Sequence, residues 1–136
     1  MIRVTIVSPN HALRVGLREM LSSHANIEVV SETVNLESVN EKETEVVVLA
    51  SVSSVLLQNA KKDFAILFLT DDIESVRMLL NSKVQTWGVL SVEATAEELV
   101  AGVLAVGEGL WVGAPSLVAE LMRLPRGGDG SGEDSL

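Results

Sequence analysis

Apolar positions recur along the chain in two rhythms. Five short runs, Ile2 to Val7, Ile27 to Val30, Val46 to Ala50, Ala65 to Leu69 and Gly88 to Val92, are dense in aliphatic and β-branched residues. The third and fourth are apolar at every position. A strand reads that way when both faces are buried, as in a parallel sheet under helices. Polar residues bound each run, and with the β-branched content they favour strands over a buried helix.

Between the runs the spacing becomes helical. Leu13, Leu17, Met20 and Leu21 form the i, i+4, i+7, i+8 stripe of a helix with one buried face. Ser8 and Pro9 predict its start, a hydroxyl cap followed by proline at the first position. Asp71 with Glu74 has capping-box spacing ahead of Ile73, Val76, Leu79 and Leu80. Thr95 with Glu98 repeats that spacing ahead of Leu99, Val100, Val103 and Leu104.

Two crossovers are short. Only 15 residues (31 to 45) separate the second run from the third, and 14 (51 to 64) separate the third from the fourth. A parallel crossover needs about a dozen or more. The helices predicted there are therefore one or two turns long. Leu36 and Val39, then Val55, Leu56 and Ala60, are their inward contacts. Gly107-Glu108-Gly109 ends the last long helix, and Leu110-Trp111-Val112 is a short apolar stretch. Pro115 predicts a final short helix carrying Leu117, Val118, Leu121 and Met122. Trp87 and Trp111 are read as core anchors.

The pattern predicts an α/β domain over 1–124: a doubly wound, five-stranded parallel sheet with shortened second and third helices and a short extra C-terminal helix. Residues 125–136, rich in glycine and acids, read as a flexible tail.

Composition narrows the function classes. The formal net charge is -9, so the surface repels phosphate backbones and this chain alone is a poor nucleic-acid binder. There is no cysteine, which removes thiol nucleophiles, thiolate metal sites and disulfides. His11 and His24 lie near opposite ends of one predicted helix, too far apart to ligate a metal from one face. No apolar run is long enough to span a bilayer, and Met1-Ile2-Arg3-Val4 leads straight into a strand. The expectation is a cytoplasmic protein without membrane contact.

In a doubly wound sheet, sites form at the carboxyl ends of the strands. Here those ends offer Ser8, Asn10, Ser51, Thr70, Asp71 and Glu93. Asp71 and Glu93 also suit helix starts, where acids complement the dipole. No glycine-rich loop follows the first strand, so no nucleotide cradle is expected. No nucleophile–base pair, metal cluster or cofactor motif points to an enzyme.

The order of these segments resembles the receiver domain of NarL/LuxR-type response regulators. The similarity lies in Ile6-Val7-Ser8-Pro9-Asn10-His11-Ala12-Leu13-Arg14-Val15-Gly16-Leu17, in Ile27 to Glu32, in Glu45 to Ala50, in Leu69-Thr70-Asp71-Asp72, and in Gly88 to Leu99. It covers about residues 1 to 122. The resemblance implies a CheY-like (flavodoxin-like) sheet of order 2-1-3-4-5. In that family such a linker leads to a helix-turn-helix DNA-binding domain, so the resemblance implies either the receiver part of a transcription factor or a stand-alone module, with any DNA contact made by a domain outside this chain.

The departures from the family pattern are systematic. Ser8-Pro9 stands where the family has two aspartates, Ala50 where it has the phosphoacceptor, Val92 where it has a lysine, and Val89 where it has an aromatic. Only Thr70 keeps the family's residue type. The segment after the third strand is about ten residues shorter than usual. A phosphoaspartate needs a carboxylate nucleophile, a divalent cation and a lysine to hold the product. Ala50 is no nucleophile, Ser51 has a hydroxyl but no evident base, and Ser8-Pro9 cannot replace two carboxylates. No cofactor and no Mg²⁺ are expected.

The expectation is a pseudo-receiver, a phosphorylation-independent interaction and dimerisation module of a transcriptional regulator, working through a protein partner or a second copy of itself. Leu99, Val103, Leu104 and Val106 are the candidate dimer-interface residues. The alternative is a ligand sensor using the emptied pocket of Ser8, Pro9, Ala50, Thr70, Val89 and Val92.

Overall fold

The computed structural model describes residues 1–50, 64–80, 86–110 and 112–113 of the 136. Strands β1 (Ile2–Val7), β2 (Ile27–Thr33), β3 (Val46–Leu49), β4 (Ala65–Leu69), β5 (Trp87–Leu90) and β6 (Val112–Gly113) form one parallel sheet of order β2-β1-β3-β4-β5-β6. The expected doubly wound sheet is present. Val112 and Gly113 add to it a short sixth strand, which pairs with Gly88 and Val89. The third-crossover contacts Val55, Leu56 and Ala60, the C-terminal helix from Pro115, Trp111 and the tail 125–136 lie outside the described residues.

Strand boundaries shift where pairing outweighs local pattern. β2 runs three residues past Val30 to Thr33, since Ser31, Glu32 and Thr33 pair with Thr5, Ile6 and Val7. An edge strand tolerates such polar residues. The register slips between Val4 and Thr5, a bulge that takes up one residue of β2. β5 ends at Leu90, so Ser91 and Val92 lie beyond it, and Val92 is 56% exposed.

Helix α1 (His11–Ser22) starts two residues later than predicted. Its cap is Asn10, whose side chain accepts the Leu13 N–H at 3.0 Å. Pro9 stands outside the helix, and Ser8 Oγ instead accepts the Asn10 N–H at 3.1 Å. Helix α2 (Ile73–Leu80) opens on Asp72 and not Asp71, with Asp72 Oδ1 accepting the Glu74 N–H at 3.2 Å. Helix α3 (Ala96–Gly107) carries the expected Thr95–Glu98 capping box. In place of a second helix there is a single 3-10 turn, Leu36–Ser38, held by Asn35. Leu36 and Val39 are nonetheless buried as expected.

The core lies in two layers, one on each face of the sheet. α1 and α3 cover one face, where Leu17, Leu21, Leu99, Val103 and Val106 meet Val4, Ile6, Val46, Val48 and Leu67. On the other face Leu36, Val39 and Val76 meet Val47, Leu49, Ile66, Phe68 and Val89, with Trp87 packed alongside. β3 and β4 are buried at every position, which is why their sequences show no polar alternation.

Gly88 is required by close packing. A Cβ there would stand 2.8 Å from Val112 Cβ, 3.0 Å from Val106 Cγ1 and 3.2 Å from Leu67 Cδ1. We expect Gly88→Ala to lower stability by about 1–3 kcal/mol through overpacking. A fall in the urea midpoint at constant slope would show it. An unchanged midpoint would mean that β6 yields at no cost.

Candidate functional site

β1, β3 and β4 are neighbours in the sheet, so the residues that follow them come together at its carboxyl edge. Ser8 N–H donates to Thr33 O at 3.1 Å, Ala50 N–H to Val7 O at 2.9 Å, and Thr70 N–H to Leu90 O at 2.9 Å. Each of these residues thus extends a strand by one hydrogen bond before the chain turns away.

The turns share one device. Ser8 Oγ accepts the Asn10 N–H at 3.1 Å, Thr70 Oγ1 the Asp72 N–H at 3.0 Å, and Ser91 Oγ the Glu93 N–H at 3.1 Å. A hydroxyl at the strand end satisfies the backbone donor two residues on, which lets the chain break from the ladder without an orphaned N–H.

A cleft of about 440 Å³ opens at this edge. It is lined by Ser8, Pro9 and Asn10 after β1, by Leu13 of α1, by Ala50 after β3, by Leu69, Thr70, Asp71 and Asp72 at and after the end of β4, and by Val92 after β5. Five of the six sequence-predicted pocket residues therefore meet here. Val89 does not: it is 2% exposed and packs in the core layer opposite Leu69 and Leu90. Strand alternation decides this, since successive side chains of β5 point to opposite faces. Leu13, Leu69 and Asp72 line the cleft without having been singled out for it. Their signal was position, at a strand end or in the first turn of the following helix.

Among the described residues no lysine or arginine lines the cleft. Arg14 of α1, which is not among the described lining residues, binds the backbone of Ser8. Its guanidinium donates to Ser8 O at 2.5 Å and lies 3.8 Å from Glu32, which also contacts Arg18. Arg14 and Glu32 are only 15% and 19% exposed, so the pair ties the end of β2 to the loop after β1. The histidines stand apart: His11 Nδ1 is 3.4 Å from Arg14, and His24 Nδ1 accepts the Asn26 N–H. Among the described residues no three acids or histidines cluster as metal ligands would, and no helix is long and apolar enough to cross a membrane.

The dimer-interface candidates are placed differently from expectation. Leu99, Val103 and Val106 are 1%, 0% and 1% exposed, and Leu104 is half-buried against the same layer. Their periodicity is that of a face packed on the protein's own sheet, so they are not a free surface.

This is the CheY-like fold of a response-regulator receiver domain. The structural neighbours are receiver domains of NarL/LuxR-type regulators. The response regulator ChrA of a heme-sensing two-component system is 28% identical, with a TM-score of 0.73 over 92% of this chain and 67% of that one. The receiver domain of NarL from Mycobacterium tuberculosis is 20% identical, with a TM-score of 0.67 over 79% of this chain and 97% of that one. The isolated receiver domain of RcsB from Salmonella enterica serovar Typhimurium, solved with phosphomimetic BeF3-, is 14% identical, with a TM-score of 0.69 over 88% and 98%. No protein-family model and no curated protein sequence matches the chain.

Proposed function

We propose that this chain is a receiver domain released from phosphotransfer, which regulates through protein contact, with a partner or a second copy, as part of a transcriptional regulator. The observation that carries the reading is Ala50 at the end of β3, between Ser8-Pro9 and Thr70. A methyl group offers no electron pair to a phosphoryl donor. Ser8 and Pro9 supply no carboxylate to a cation. Asp71 and Asp72 border the cleft, but both follow β4 and neither stands at the end of β1 or β3, and Asp72 opens α2 by accepting the Glu74 N–H.

The retained parts agree with this. Thr70 serves its own turn through Oγ1, so it keeps a structural role when the chemistry is gone. Val92 is exposed at the mouth, where a lysine would have no buried acid to meet. The regulatory output then depends on surface and on partner, not on a phosphorylated state. With Leu99, Val103 and Val106 assigned to the core, a self-association face would have to use other groups, such as Val15 of α1, which is 45% exposed.

The test is light scattering over a concentration series, paired with thermal melting, with and without Mg²⁺ and beryllofluoride. We expect neither the oligomeric state nor the melting temperature to respond. A rise in melting temperature that requires both additions would show a working metal–phosphoryl site and overturn the reading.

A further inference from the structure

We propose that the outer edge of β2 is a self-association surface, on which a second copy of this chain adds its own β2 antiparallel across a two-fold axis. The inference rests on the reading of this chain as one that works by contact, and it names the partner and the face.

The first observation is an open edge. The sheet ends in β6 on one side and in β2 on the other. β6 is blunted by its length of two residues. β2 has seven, the most of any described strand, and carries neither proline nor lysine. The crossover that leaves it makes only the 3-10 turn Leu36–Ser38, so it lays no helix along that edge. Glu28 is exposed, Val29 to Thr33 are half-buried, and Val34 just beyond is 53% exposed. Asn26 O and Thr33 O turn inward and accept the N–H groups of Ile2 and Ser8. Alternation on either side of the bulge then points the backbone groups of Val29 and Glu32 outward.

The second observation is that this edge is self-complementary. The bulge at Val30 puts Glu28 on the face of Arg3 and Glu32 on the opposite face, with Ile6. Residues opposite each other in an antiparallel pair share a face, so Glu28 does not meet Glu32 of the second copy. Some two-fold registers also keep each glutamate from facing its own counterpart. Of these, the one that covers Val34 sets Ser31 opposite Ser31, Val29 opposite Glu32, Glu28 opposite Thr33 and Ile27 opposite Val34. It joins the outward backbone groups of Val29 to those of Glu32.

The third observation is charge. The chain carries a net -9, yet the charges beside this strand balance. Glu32 is held by Arg14 and Arg18, and Glu45 by Arg3, which leaves Glu28, Glu32 and Glu45 against Arg3, Arg14 and Arg18. Two copies meet here with little repulsion, whereas a strongly charged peptide finds no net charge to answer.

The full chain is sedimented to equilibrium over a concentration series, and the parent is expected to pass from monomer to dimer. Ser31→Lys sets two ammonium groups face to face at the axis, and Val34→Lys charges the covered end of the pair. Each should weaken the dimer at least about tenfold while the dichroism stays that of the parent. The chain has no cysteine, so Ser31→Cys reports the axis directly. Its oxidation should link the dimer, because the two side chains face each other across a non-hydrogen-bonded pair. Glu28→Cys, displaced from its own counterpart in this register, should not link. In the parent, the Val29 and Glu32 amides should exchange with deuterium at dilution and become protected as the dimer forms.

A parent that stays monomeric at every concentration overturns the proposal. So does a dimer that ignores both lysine variants, or a Glu28→Cys link that forms as readily as the Ser31→Cys link. Val29 and Glu32 amides already protected in the monomer would overturn it too. A response to Mg²⁺ with beryllofluoride would remove the reading of the carboxyl edge and leave the β2 pairing standing. A monomeric parent without that response would do the reverse, so the two failures are distinguishable.

Discussion

Val103→Asp is expected to unfold the domain and not to yield a folded monomer. Val103 is 0% exposed and sits where α3 packs on Val46, Val48 and Leu67. An ionised carboxylate placed there loses its hydration among aliphatic side chains. The penalty of several kcal/mol compares with a total stability of about 5–15 kcal/mol for a domain of this kind. Far-ultraviolet dichroism and the dispersion of the amide spectrum measure the outcome. If Val103 were an interface residue, the same change would leave a well-folded protein that merely sediments as a monomer. That result would overturn the placement of α3 against the sheet. An unfolded chain confirms that the helix face of Leu99, Val103 and Val106 belongs to the core.

Phe68→Ala is expected to cost about 3–5 kcal/mol. The chain has only two phenylalanines in a core that is otherwise aliphatic. Phe68 is the largest fully buried side chain among the described residues, at 1% exposure. It lies on central strand β4 and packs in the layer with Leu36, Val76 and Val89. Truncation to alanine removes the ring and leaves a cavity that surrounding aliphatic side chains fill only in part. Urea unfolding monitored by dichroism should show a large fall in midpoint at constant slope. Phe68→Leu, which keeps most of the volume, should cost under about 1.5 kcal/mol. If alanine and leucine proved equal, the ring would not be packed as described.

The site was legible in the sequence to the extent that strand ends were legible. Val46 to Leu49 and Ala65 to Leu69 are apolar throughout, so their ends placed Ala50 and Thr70 at the edge of the sheet. Ser8 followed in the same way from β1. Val89 was misplaced because residue order says which strand a side chain is on, whereas the register says which face it points to. Pairing of Phe68 with Val89 fixes that register, and it turns Val89 into the core. The caps show a related limit. Thr95 and Glu98 are a local pair and were readable, as both hydrogen bonds lie within four residues. At α1 the expected cap Ser8 became a strand-end hydroxyl, which left capping to Asn10; at α2 Asp72 took the role expected of Asp71, with Thr70 accepting its N–H.

The sequence by itself determined the class of fold, the parallel sheet and the residue types that stand at the strand ends. These follow from periodicity and from residue types, which are local properties of the chain. Tertiary structure alone decided what was shared between distant segments. It set the sixth strand, because Val112 and Gly113 are strand only through pairing with β5. It joined Arg14 to Glu32 and to the carbonyl of Ser8, a tie between residues too far apart for any local pattern. It assigned the apolar face of α3 to the core, since an amphipathic stripe looks the same whether it meets its own sheet or a second copy. It also brought Leu13 and Val92 to one cleft over two buried hydroxyls, an arrangement that exists only once the strands are side by side.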